Sequence, residues 1–128
     1  MIGPEQDLDA RWQEGLAAYA RMLGISEDEV PAWMGGQLGE RVAREAILSA
    51  GAGTWADTPL SRRDRSLIVM AVLMTLGGAE PRLEIHARTA IENGATEAEI
   101  EEMAHLIALY AGYARASLGI ETIRKAIA

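Results

Sequence analysis

Two side chains have types and positions that could do chemistry: His86, within Pro81 to Thr96 (PRLEIHARTAIENGAT), and Arg65, within Ser61 to Ser66 (SRRDRS). An imidazole titrates near neutrality and can take or give a proton. His86 stands three residues after Leu83 and four before Ala90, which sets it beside the inward stripe Leu83, Ala87, Ala90, Ile91 of a helix. It reads either as a core histidine satisfied by one hydrogen bond or as a proton-transfer group. Arg62, Arg63 and Arg65 crowd the first turn of another helix, where the positive end of the helix dipole disfavours cations. Arg65 also opens the stripe Arg65, Ile68, Val69, Val72, Leu76, so its guanidinium lies along apolar surface and calls for a carboxylate or other negative charge. That charge is either an internal acid, giving a salt bridge, or a ligand.

Other candidates carry less. Trp55 sits in a loop, where it either caps a pocket or closes the core; Tyr110 and Tyr113 either donate to a substrate oxygen or pack at an interface with the hydroxyls wet. His105 falls off the apolar stripe of its helix and reads as solvated. No metal site is expected, because the two histidines are nineteen residues apart and share no HxxxH or HExxH spacing. The chain has no cysteine, which excludes disulfides, thiolate ligands and thiol nucleophiles. No GxSxG, P-loop or dinucleotide fingerprint is present.

The elements that must position these residues all read with helical period, so the expected class is all-α. Leu8, Trp12, Leu16, Tyr19 and Leu23 form a first stripe that stops at Gly24, after a loose start over residues 1–6. SEDE at Ser26 to Glu29 reads as a capping box opening a short second helix, a turn is expected between Pro31 and Gly36, and a third segment runs to about Ala50. GAGTWADTP then breaks regular structure. The fourth helix starts after Ser61 as N-cap, runs through LIVMAVLMTL and ends at Gly77 and Gly78; apolar nearly all round, it is expected to be buried on every side. The fifth has Pro81 at its first position and Gly94 past its end. Thr96 with Glu99 caps the sixth, whose inward face is Ile100, Met103, Ala104, Ile107, Ala108 and Ala111, and Gly112 interrupts it before a last amphipathic helix. The extra stripe Leu106, Leu109, Tyr110, Tyr113 is more apolar surface than one intramolecular contact needs, and points to a homo-oligomer.

A chain of 128 residues, 49% hydrophobic and 24% charged, fits one domain over residues 1–128. With 19 acidic against 12 basic residues the net charge is -7, which argues against nucleic acid and anionic membrane as partners. The N-terminus lacks the pattern of a signal peptide and the longest apolar run is ten residues, so a cytoplasmic protein with no membrane span is expected.

Three blocks in fixed order, W-x3-P-L-S-R-R-D-R-S-L from Trp55 to Leu67, LEIHARTAIENGATEAEIEEM from Leu83 to Met103 and LYAGYARAS from Leu109 to Ser117, resemble the carboxymuconolactone decarboxylase family. The resemblance implies an alkylhydroperoxidase D-like helical domain of about six or seven helices, assembled as a trimer or hexamer. The peroxidase branch of that fold uses a CxxC pair before the histidine; with no cysteine here, disulfide exchange is impossible and the decarboxylase branch remains. That branch removes carbon dioxide from 4-carboxymuconolactone to give 3-oxoadipate enol-lactone. It implies no cofactor, because the lactone itself accepts the electrons that carbon dioxide leaves behind. Carried onto this chain, the resemblance makes Arg65 the group that binds the anionic substrate and His86 the proton donor or acceptor. On the same resemblance Trp55, Ser66, Tyr110 and Tyr113 are expected to contact the substrate, a small anionic lactone or carboxylic acid. Tyr110 or a backbone N–H near Gly112 would serve as oxyanion donor.

Two departures bear on the substrate. Ala114 stands where the family commonly has a proline two places after the glycine of its YxG block, and Arg82 replaces an acidic residue often found before the histidine. A related carboxylated cyclic compound is therefore also expected to fit. The alternative is a non-enzymatic oligomeric binding protein that recognises a small anion on the same scaffold.

Overall fold

The computed structural model describes residues 8–52 and 59–128. Among them lie seven α-helices and no strand, confirming the all-α class: α1 (Leu8–Leu23), α2 (Val30–Leu38), α3 (Glu40–Ala46), α4 (Arg62–Leu76), α5 (Glu80–Glu92), α6 (Glu97–Ala111) and α7 (Tyr113–Ile127). The chain forms two compact units, residues 1–58 and 59–128. The loose start expected over residues 1–6 lies outside the described residues, as does most of the GAGTWADTP loop.

In the first unit, Leu16, Val30, Met34, Ala43 and Ile47 form the core, with Trp12, Tyr19 and Leu23 of the expected first stripe packed against it. A π-helical turn, Ile47–Gly51, follows α3 and lies against α1. Gly15 makes that approach possible, since a Cβ there would collide with the Ile47 carbonyl oxygen. Two expectations fail in this unit. Ser26 does not cap a helix: its hydroxyl donates to the Glu29 carboxylate at 2.9 Å, and residues Glu27–Glu29 form a single 3₁₀ turn. Nor does the chain turn between Pro31 and Gly36. Proline is harmless in a first helical turn, where its missing N–H has no partner to lose. Thus α2 runs straight through and buries Val30 and Met34 before stopping at Gly39, φ +85°.

In the second unit, α5 packs against α4, and α7 packs against α4, α5 and α6. Its core joins Met70 and Met74 of α4, Leu83, Ala87 and Ala90 of α5, Ile100, Ala104 and Ile107 of α6, and Ala116 and Ile123 of α7. The α4 start is as read from sequence: the Ser61 hydroxyl accepts from the Asp64 N–H at 3.0 Å. So is the α6 start, where the Thr96 hydroxyl accepts from the Glu99 N–H and the Glu99 carboxylate accepts from the Thr96 N–H. The α5 start differs by one residue, Glu80 preceding Pro81, a shift within ordinary fraying. The larger correction concerns α4, which is not buried on every side: Ile68, Val72 and Leu76 are 49%, 50% and 68% exposed. Ile91 and Ala111, expected to face inward, are also exposed.

Candidate functional site

The first turn of α4 contains three arginines that the structure treats differently. Arg63 is the internally paired one. Its Nε and Nη2 donate to Asp64 Oδ1 at 3.2 and 3.1 Å, and its Nη1 donates to Glu99 Oε2 at 2.7 Å. Glu99 accepts in the same place from the Thr96 N–H and hydroxyl, and these bonds, with the Arg63 charge, hold its carboxyl below the usual range. Arg65 is the opposite case. It is only 6% exposed, and its Nη1, shut off from solvent, has no hydrogen-bond partner among the described residues. The salt bridge that would have explained the cluster away is therefore made by Arg63 and not by Arg65. A buried guanidinium nitrogen without a partner is costly, and the cost is recovered only when an acceptor reaches it.

Ser66, next in the chain, is fully buried, and its hydroxyl oxygen accepts from Asn93 Nδ2 at 3.0 Å. It thus makes an internal bond between α4 and the end of α5. Sequence reasoning missed this partner, because Asn93 reads there only as the residue before the helix-stopping Gly94.

His86 occupies the middle of α5, the helix that packs on α4, and is half-buried with Nδ1 shielded from solvent. Burial, and secondarily the positive charge of Arg82 one turn earlier, push its pKa below the ordinary imidazole value. The neutral form of the ring is consequently favoured. It can accept a proton there, and an arriving negative charge would raise its basicity.

The remaining residues are placed otherwise. Tyr110 and Tyr113 flank Gly112, φ +111°, at the junction of α6 and α7, and are 89% and 70% exposed, so neither ring closes a pocket within the single chain. His105 is exposed, 3.8 Å from Glu102, as a solvated histidine should be. Trp55 lies outside the described residues. A groove of about 230 Å³ in this unit is lined by Glu97, Ile100, Glu101, Ile120, Arg124, Ile127 and Ala128, none of them expected at the site. Among the described residues no three His, Asp or Glu side chains converge as a metal would need, and no helix is long and apolar enough to cross a membrane.

The described residues form an all-α scaffold without cysteine that carries a buried arginine on α4 and a half-buried histidine on α5, the helix packed against it. Residues 42–122 match the model of the carboxymuconolactone decarboxylase family, and the chain belongs to that family. A curated relative, 4-carboxymuconolactone decarboxylase of Acinetobacter baylyi, is 41% identical over 58 residues. That match covers 45% of this chain and 42% of the relative, so it spans less than half of either protein.

Proposed function

We propose that this protein is a decarboxylase acting on 4-carboxymuconolactone or a closely related carboxylated lactone. The carrying observation is Arg65, whose buried Nη1 lacks an acceptor within the described chain. A substrate carboxylate is a suitable acceptor, bound in a setting where water does not compete. Family membership and the relative's name support the same substrate class.

In the proposed reaction the bond from the lactone carbon to the carboxylate breaks, and its electron pair enters the conjugated lactone as a dienolate while carbon dioxide leaves. Negative charge bound beside His86 raises the imidazole pKa, so a solvent proton is taken up on binding. The imidazolium then gives that proton to carbon and returns to its neutral form. Tyr110 and Tyr113, exposed in the single chain, would meet substrate where a second copy covers them in the proposed trimer or hexamer.

The test is a screen of carboxylated lactones read by release of carbon dioxide. Turnover that falls at least about a hundredfold in His86→Ala supports the reading. Undiminished turnover in that variant removes His86 from the mechanism. Stoichiometric anion binding without product, lost in Arg65→Ala, would instead make the protein a non-enzymatic binder.

A further inference from the structure

Resting on the proposed role of Arg65, we infer that Asn93 is a positioning residue: through its hydrogen bond to Ser66 it holds the start of α4, and hence the Arg65 guanidinium, in place. The bond joins residues 27 apart in sequence, and its acceptor, Ser66, is fully buried. The apolar contacts between α4 and α5, such as Met70 with Leu83 and Ala87 in one core cluster, are not directional and tolerate small slides of one helix along the other. A buried hydrogen bond does not, because displacement leaves a polar atom unsatisfied.

The backbone of Asn93 is itself fixed. Its N–H donates to the Thr89 carbonyl at 2.9 Å, and the Ala95 N–H donates to the Ala90 carbonyl at 2.9 Å across Gly94, whose φ is +99°. The amide is therefore aimed from a rigid helix end. A second tie lies on the other side of Arg65: Arg63 donates to Glu99, which is locked in the cap of α6. Asn93 and the first turn of α6 thus grip the start of α4 at residues 66 and 63, and Arg65, whose Nη1 has no partner among the described residues, stands between the two grips.

A comparison of Asn93→Ala, Ser66→Ala and the double variant, in the full chain, separates positioning from plain stability. Asn93→Ala strands the buried Ser66 hydroxyl and lowers the urea midpoint, Ser66→Ala leaves only the half-buried Asn93 amide and costs less, and the double change, which removes the stranded hydroxyl, regains most of the loss of Asn93→Ala. Three readouts are followed: the urea midpoint, the Nε–Hε NMR signal of Arg65 assigned by its loss in Arg65→Lys, and turnover of 4-carboxymuconolactone. If Asn93 positions Arg65, the double variant recovers stability. Its kcat/KM nevertheless stays about ten- to a hundredfold low, mostly through KM, and its Arg65 signal remains shifted or broadened. Recovery of kcat/KM and of the Arg65 signal together with stability overturns the inference. Should the unaltered protein show no turnover, the proposed activity fails, while the Arg65 signal alone still decides the question of positioning.

Discussion

Arg63 and Arg65 are two residues apart in the same turn, yet the first pairs with Asp64 and Glu99 and the second buries a nitrogen that has no partner among the described residues. Replacing Arg65 with methionine keeps the apolar stem and removes the buried charge. Arg65→Met should therefore unfold at higher urea, by about 1 kcal/mol or more, while losing carboxylate binding; lower stability than the native chain would show that the guanidinium is already satisfied. A second expectation concerns His86, whose pKa is held down first by burial and then by Arg82. The proposed step from imidazolium to carbon needs the protonated ring, so under that proposal kcat/KM should fall as pH rises above this lowered pKa. Arg82→Ala removes the smaller of the two causes and should move the falling limb to higher pH; a pH profile indifferent to Arg82 would contradict the assignment.

Elements were legible in the sequence at most local signals, though the capping-box spacing of Ser26 and Glu29 makes no cap because the serine hydroxyl donates to the carboxylate instead. Ser61 with Asp64, and Thr96 with Glu99, are three residues apart, and each forms the cap that its spacing implies. Thr96→Ala should cost about 1 kcal/mol in thermal or urea unfolding, and more than an ordinary cap if release of Glu99 also frees Arg63. Gly77, too, was readable as the stop of α4, but not the arginine that lies against it. Its φ is +73°, and a Cβ would run into the Arg115 guanidinium, which lies at the negative end of the α4 dipole. Gly77→Ala should accordingly destabilise by about 1 kcal/mol or more through its positive φ, since the exposed tip of Arg115 can swing aside, and a neutral effect would count against this backbone conformation. What sequence did not show is non-local or depends on competition. The partner of Ser66 is 27 residues away, and proline at the start of α2 is compatible with both a turn and a helix until the burial of Val30 and Met34 decides for the helix. Similarly, the apolar composition of α4 says how much surface wants cover, but not that Ile68, Val72 and Leu76 remain exposed in the single chain.

For the molecule as a whole, those exposed residues, with Leu106, Leu109, Tyr110 and Tyr113, put much of its large apolar surface on the unit that carries Arg65 and His86. The proposed assembly predicts a sedimenting mass that is a multiple of the 13.8 kDa chain, reduced by Leu109→Glu, which places a charge amid that surface; a native chain that stays monomeric at micromolar concentration would contradict it. A net charge of -7 also means that a carboxylated substrate meets a repulsive protein overall, so its recognition must come from local cations rather than from the long-range field. The central claim is that Arg65 supplies that recognition for a decarboxylation. Its most direct test is carbon dioxide release from 4-carboxymuconolactone by the native protein and by Arg65→Met at equal folded concentration. The account predicts one carbon dioxide per lactone consumed by the native protein and at least a roughly hundredfold lower kcat/KM in the variant. Equal rates in the two proteins, or binding by the native protein with no carbon dioxide formed, would contradict it.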